Sequence, residues 1–224
     1  MAGVKGGGAA TLYLVAYNAA SFAGWYYVLA QTAVHLAEHG SNLDGLFARI
    51  GLPLIYVQTA AVLEVVHALV GLVRSGAFTV LMQVYSRLLL VWGALYLFDV
   101  PEVRASYALV LMVGAWSMTE CVRYSHYALT LLGVNLSALV YLRYTLFYVL
   151  YPAGVSGELL ELWAVLPHAA AIHPLLKPFL LVNMAGYPPV LYTLYTHMIR
   201  QRRKILGGAK PAQTSTATKT KKKL

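Results

Sequence analysis

From Thr11 to Val34 no side chain carries a charge. An apolar helix of that length reaches across the hydrocarbon core of a bilayer, which takes about 20 residues. Similar runs recur at Pro53–Val73, Thr79–Phe98, Ala105–Tyr127 and Phe179–Ile199. Another lies around Leu142–Tyr151, after a turn at Gly133-Val134-Asn135. Backbone N–H and C=O groups in lipid must find partners within the protein, so repeated runs of this kind predict helices. Overall 59% of the residues are hydrophobic and 11% are charged, against about 25% charged in soluble domains. The fold class predicted is therefore all-α: a polytopic membrane helical bundle with six transmembrane helices.

The segments between the runs complete the organisation. Residues 1–10 read as a flexible leader, without the basic start and short apolar core of a signal peptide. Residues 11–199 form the six-span membrane domain. His35–Gly51 is expected to be a polar loop, and Asp99–Arg104 a short acidic turn. Leu159–Ile172 is apolar but short and interrupted by Pro167, which suggests a re-entrant, interfacial or bundle helix. Residues 200–224 are a basic tail. Of the seventeen Lys and Arg residues, nine lie from Arg200 onward with no acid among them, leaving eight basic against eight acidic before that point. Such a tail, with no reading domain beside it, points to the cytosolic membrane flank rather than to nucleic acid. Six spans then put both termini in the cytosol. Six acids (Glu38, Asp44, Asp99, Glu102, Glu158, Glu161) fall on or towards the opposite side. The single cysteine, Cys121, reads as a small core residue.

One stretch stands out, Leu142–Glu161. An aromatic helix carrying Arg143 meets Tyr151-Pro152-Ala153-Gly154, and Glu158 follows. Pro removes a donor and clashes with the preceding turn, so the helix is expected to break there. A broken helix flanked by ionisable groups suggests a site inside the membrane.

Other spans carry charge as well. Glu64 and His67 share a helix face, as do Gln83 and Arg87, and Glu120, Arg123 and Tyr124. Arg143, Phe147 and Tyr151 follow at successive spacings of four. Charges at membrane depth cost at least a few kcal/mol each and need partners or water. One reading pairs Glu64 and Glu120 with Arg87, Arg123 or Arg143 as structural ion pairs. The other notes that three arginines exceed two acids. It leaves a basic funnel open to the cytosol, suited to a ligand with phosphates at one end and an apolar chain at the other.

Two other signals are set aside. His67-Ala68-(x5)-Arg74 has the spacing of a tyrosine phosphatase loop, but Ala68 occupies the nucleophile position. The seven histidines are scattered, and no metal is expected.

The chain resembles the membrane 3-hydroxyacyl-CoA dehydratases, also called the protein-tyrosine-phosphatase-like family, and looks closest to its plant PASTICCINO-type branch. The resemblance rests on Tyr17-Asn18, Phe22-Ala23-Gly24-Trp25, Gln58 to His67 and Gly71 to Ser75. It continues through Gln83 to Arg87, Trp116 to Glu120, Arg123-Tyr124, Leu142 to Tyr144 and Tyr151-Pro152-Ala153-Gly154…Glu158. It implies Tyr151 and Glu158 as the catalytic pair, with Glu64, Gln83, Arg87, Glu120, Arg123, Arg143 and Gly154 binding substrate or supporting the site. Gly157 stands where the plant relatives are expected to have Ser.

The activity implied is removal of water from a very-long-chain (3R)-3-hydroxyacyl-CoA to give trans-2-enoyl-CoA, the third step of fatty acid elongation, without a cofactor. The implied location is the endoplasmic reticulum membrane, multi-pass. Partners would be the elongase condensing enzyme, the two elongation-cycle reductases and the lipid bilayer. Lys221-Lys222-Lys223-Leu224 looks like a dilysine retrieval signal. The rival reading is a non-catalytic scaffold or phosphotyrosine-binding regulator that keeps the fold.

Dehydration needs a base at C2 and a proton donor at the C3 hydroxyl. Glu158 is expected as base and Tyr151 as donor, with the reverse assignment open. On an unbroken helix the two would stand roughly 10 Å apart along the axis. The break at Pro152 is expected to fold Glu158 back towards Tyr151.

Overall fold

Glycine, proline and capping side chains set the ends of the apolar runs. The computed structural model describes residues 7–207, and every regular element in that range is helical. The first helix, α1 (Gly7–His39), is followed by α2 (Leu46–Ala60) and α3 (Val62–Leu69), which bend against each other at Ala61. Gly71, at φ +71°, ends that rod in a left-handed turn that glycine adopts at no steric cost. Next come α4 (Ala77–Leu90), with a π-helical extension over Val91–Tyr96, and the single turn α5 (Pro101–Arg104). Pro101 starts α5 at a position where its missing N–H costs nothing. Arg104 donates to the carbonyls of Leu95 and Tyr96, which the end of the π segment would otherwise leave unpaired.

The central rod is α6 (Tyr107–Leu131), capped by Ser106, whose hydroxyl accepts from the Leu109 N–H at 2.9 Å. Then follow α7 (Ser137–Arg143), α8 (Phe147–Ile172) and α9 (Leu176–Leu206). The six long rods (α1, α2–α3, α4 with its π segment, α6, α8, α9) alternate in direction. The helix α6 lies between α1 and α8; α2 packs on α1, α9 on α8, and α3 on α4. Trp25, Leu54, Leu95, Met112, Leu162 and Val165 are among the side chains closing the core.

The outside of the bundle is apolar too: Phe78 is 73% exposed, Trp163 65% and Val182 72%. In water such a surface would be a liability; in lipid it is the expected one. Among the described residues four helical stretches are long and apolar enough to cross a membrane: Leu46–Leu69, Ala77–Tyr96, Pro101–Leu131 and Phe147–Ile172.

Several expectations are corrected. The polar loop over 35–51 shrinks to residues 40–45, because α1 continues to His39 and α2 begins at Leu46. Helix α9 runs past residue 200 to Leu206, so the first residues of the basic stretch are helical. The largest correction concerns the stretch around Tyr151. The chain does not break at Pro152; it breaks about two turns earlier, at Tyr144-Thr145-Leu146. Residues 147–172 form one helix with Pro152 and Pro167 inside it, so 159–172 is no separate short segment. A proline in a helix forfeits one hydrogen bond, and here packing against α6 and α9 along the length of α8 outweighs that loss. The dilysine sequence at 221–224 and the start of the leader lie outside the described residues.

Candidate active site

One face of α6 organises the polar interior. Trp116, Glu120, Arg123, Tyr124 and Tyr127 follow at helical spacings of three and four. Glu120 is fully buried and accepts from Arg123 Nε and from Arg87 of α4. Arg123 turns its other two nitrogens to Glu64 of α3, both at 2.8 Å, in a two-pronged pair. The same Glu64 carboxylate accepts from Tyr124 and, at 3.4 Å, from Tyr17 of α1. His67 stands beside this group, its Nε2 2.8 Å from the Tyr13 hydroxyl. Two carboxylates and two guanidiniums thus close on each other across three helices. This is the structural pairing foreseen for Glu64 and Glu120, with Arg87 and Arg123 as partners and Arg143 outside it.

The Arg87 guanidinium also lies 5.0 Å over the Trp116 ring. From the edge of that ring, Trp116 Nε1 donates to Glu158 of α8 at 2.8 Å. Glu158 is 9% exposed and contacts no cation within ion-pair distance among the described residues. The expectation of Glu158 on a post-break segment is therefore corrected: it is a buried helical residue. Tyr187 of α9 directs its hydroxyl at the same carboxylate without closing a hydrogen bond of normal geometry, and that hydroxyl is buried and unpartnered. Glu161, one turn on, accepts from Ser106; its second oxygen is buried without a partner.

Tyr151 is half-buried, its ring 6.4 Å from that of Tyr195 on α9. Seven residues separate it from Glu158 on one continuous helix, which puts both on the same face about 10 Å apart along the axis. The folding-back at Pro152 does not occur. Side chains in a helix lean towards its N-terminus, Tyr151 as much as Glu158, so the lean by itself leaves that offset in place.

Gly154 and Gly157 both face α6, and Gly157 is the one that lets the two helices approach. A Cβ on Gly154 would meet Ala115 at 3.4 Å, ordinary contact beside the Trp116 ring. On Gly157 it would lie 2.7 Å from the Met112 backbone nitrogen and 2.9 Å from the Ala108 oxygen, both rigid backbone atoms. Glycine at 157 is thus the residue this helix contact accommodates.

The remaining foreseen residues part company. Gln83 is exposed on α4 and does not join the site. Arg143 sits at the far end, donating to the Tyr127 hydroxyl at 2.8 Å and lying 4.5 Å over that ring. Arg123, expected to receive phosphates, is instead saturated by two carboxylates. The sequence reading missed Tyr187, whose only signal was a tyrosine before Pro188-Pro189 in an apolar run. It also missed Arg202, taken as part of a tail.

Depth is common to the group. Arg87 lies ten residues from the start of α4, Glu158 eleven from the start of α8, and Glu120 eleven from the end of α6. Each is about 15 Å from the same end of the bundle. Because α8 begins only at Phe147, Tyr151 is one turn in from that end, which removes the depth that an unbroken lead-in from residue 137 would impose.

A family model described as "Protein tyrosine phosphatase-like protein, PTPLA" matches residues 58–208. A very-long-chain (3R)-3-hydroxyacyl-CoA dehydratase of Caenorhabditis elegans is 46% identical over 210 residues, 88% of this chain and 95% of the relative. Human very-long-chain (3R)-3-hydroxyacyl-CoA dehydratase 2 is 40% identical over 210 residues, 88% and 82% of the two chains. Rice dehydratase PASTICCINO 2A is 38% identical over 226 residues, covering 95% of this chain and 100% of its own. No solved structure matches the chain.

Proposed function

The chain belongs to the protein tyrosine phosphatase-like (PTPLA) family, and from that premise we propose that it is a very-long-chain (3R)-3-hydroxyacyl-CoA dehydratase. It removes water from the substrate to leave trans-2-enoyl-CoA, in the third step of fatty acid elongation. The observation that carries the site assignment is the coordination of Glu158. It is a buried carboxylate held by one neutral indole N–H, on the helix face it shares with Tyr151.

In the proposed reaction Glu158 takes the proton from C2. The C2–H electrons form the C2=C3 bond, the C3–O bond breaks, and the departing hydroxyl leaves as water with a proton from the Tyr151 phenol. Proton transfer from Glu158 back to the phenolate restores both groups, and no metal or cofactor enters. General acid and base contributions of this kind are worth about 10²–10⁴-fold each. The 10 Å offset along α8 is bridged by the reach of the two side chains and by the substrate between them. The ion network serves as the frame: Arg87, pinned by Glu120, fixes the Trp116 ring whose N–H orients Glu158. Tyr187 stands as a second phenol at the same carboxylate. Gly154 supports the site as part of the α8 surface that packs beside Ala115 and Trp116.

The same reading carries the topology. All six long rods cross the membrane, because α1 is uncharged over 11–34 and α9 carries no Lys, Arg, Asp or Glu over 178–199. The membrane domain spans 11–199, the tail begins at 200, and both termini face the cytosol. The compartment is the endoplasmic reticulum, and the partners are the condensing enzyme and the two reductases of elongation. Asn135-Leu136-Ser137, on the cytosolic side, stays unglycosylated; a glycan at Asn135 would overturn this topology.

The test of the function is direct. Purified protein incubated with a long-chain (3R)-3-hydroxyacyl-CoA is expected to yield the trans-2-enoyl-CoA, read as a loss of one water by mass spectrometry. No product from correctly folded protein would leave the non-catalytic scaffold in its place.

A further inference from the structure

The arginines at the two ends of the bundle are partnered differently. At the end holding the α1–α2 turn, Arg49 pairs with Glu38 at 2.7 Å and Arg104 with Asp99 at 2.5 Å. Midway down, Arg87 and Arg123 are absorbed by Glu120 and Glu64. At the α7–α8 junction, Arg143 and Arg202 have no carboxylate within ion-pair distance among the described residues. Their partners are neutral and aromatic. Arg143 donates to the Tyr127 hydroxyl and lies over the Tyr127 and Tyr144 rings, at 4.5 and 5.7 Å. Arg202, near the end of α9, lies 5.6 Å over Tyr148 and directs Nε at Thr145 Oγ1, 3.4 Å away. Both side chains are half-buried, and they flank the Tyr144–Tyr148 segment.

We infer that Arg143 and Arg202 form a phosphate-binding subsite for the nucleotide end of the acyl carrier, with the tyrosines holding the guanidiniums flat. The inference rests on the dehydratase reading and deepens it. A guanidinium has five N–H donors in a planar fork. One is used on each residue, which leaves the others for phosphate oxygens, the acceptors that fork fits two at a time. Stacking on a ring leaves those edges open and limits the side-chain freedom to be lost on binding. An acid at this place would compete with the ligand, and among the described residues none lies within ion-pair distance there.

The geometry also suits the carrier's length. Tyr148, under Arg202, is ten residues from Glu158 on α8, about 15 Å along the axis. That is roughly the length of an extended pantetheine arm, so phosphates at the mouth put the thioester beside the carboxylate. Phosphate esters also come as phospholipid headgroups, and the two sources differ in what they do to a truncated substrate.

The experiment compares a 3-hydroxyacyl-CoA with the matching pantetheine thioester, which lacks every phosphate, on the full chain in phospholipid-free detergent. For Arg202→Gln the ratio of kcat/KM values, CoA thioester over pantetheine thioester, is expected to fall about ten- to hundredfold, mostly through KM. Arg143→Gln is expected to do the same, and Arg202→Lys to recover part of the ratio. An unchanged ratio overturns the proposal, whether both substrates are untouched or both suffer equally. So does a loss that added anionic phospholipid restores for both substrates alike, which marks a headgroup site. If the wild-type protein turns over neither thioester, the dehydratase reading fails separately. Calorimetric binding of free CoA to wild type and to Arg202→Gln then decides the subsite: weaker binding by the variant supports it, and equal binding removes it.

Discussion

Two carboxylates buried in the same bundle, Glu120 and Glu158, are treated in opposite ways. Glu120 receives two guanidiniums and sits in a closed set of ions whose second acid, Glu64, is itself met by Arg123 and two phenols. Glu158, about the same depth down the neighbouring helix, receives one indole N–H and faces an unpartnered phenol. Both carboxylates pay for leaving water, but only Glu120 is compensated in full within the protein. A carboxylate whose acceptor sites are filled can orient its neighbours and do little else. One with open sites, beside a hydroxyl that also lacks a partner, has room for a substrate atom. The comparison separates frame from reactive group more cleanly than charge or burial does, since both groups are buried acids.

The strongest way to break that distinction is to exchange the two roles by mutation. Glu158→Gln is nearly isosteric and keeps an oxygen to accept from Trp116. It is expected to lower kcat by about 10²–10⁴-fold with little change in thermal stability in detergent. Tyr151→Phe is expected to do likewise, and the double variant to cost little more than either single one, because groups acting in one step are not additive. Glu120→Gln is expected to behave in the opposite manner. It leaves Arg87 and Arg123 short of a counter-charge in a buried place, a loss of about 3–5 kcal/mol, read as reduced folded yield and a lower melting temperature. If Glu120→Gln folds normally and loses only turnover, while Glu158→Gln unfolds, the two assignments change places.

How much of this was legible in the sequence depended on range. Helices and the inward set of charges could be read, because an uncharged run and an arginine within it are local facts. Which acid would take which arginine could not, since Glu64 and Arg123 are fifty-nine residues apart and meet only after three helices pack. The break at Pro152 was misread for the same reason. The lost hydrogen bond of a proline is visible locally, whereas the packing along α8 that outweighs it is not. Tyr187 and Arg202 carried no sequence signal strong enough to notice. Tyr187 is one tyrosine among seventeen, and Arg202 lies in a basic run that reads as a solvated tail.

Gly157 offers a sharper test of intermediate size, because it governs the distance between the two regions. Adding a side chain there places atoms against the backbone of α6 at Ala108 and Met112. Overpacking at such a contact costs about 1–3 kcal/mol. Gly157→Ser is therefore expected to lower the melting temperature moderately and to lower kcat as well, since Glu158 is the next residue and its bond to Trp116 depends on the same approach. Gly186, whose added Cβ would meet nothing within 4 Å, gives the control: Gly186→Ser is expected to leave both quantities near wild type. Equal effects at 157 and 186 would remove the α6–α8 contact from the account.

The smallest expected effect is the most discriminating. Tyr187→Phe deletes one buried hydroxyl that is directed at Glu158 without closing a hydrogen bond of normal geometry. Were Tyr187 only a packing residue, the change would be neutral or slightly stabilising, because an unpartnered buried polar group costs about 1–3 kcal/mol and phenylalanine fills nearly the same space. Turnover would then be untouched. If the open place beside Glu158 is where substrate oxygen sits, the hydroxyl acquires its partner only in the complex. The variant should then be as stable as wild type or more so, yet slower by about tenfold, the worth of one hydrogen bond. Stability and activity moving in opposite directions is a result that a structural role cannot produce. The measurement is a melting temperature and a kcat on the same preparation. A Tyr187→Phe protein that loses both together would return Tyr187 to the frame and leave Tyr151 as the sole phenol at the carboxylate.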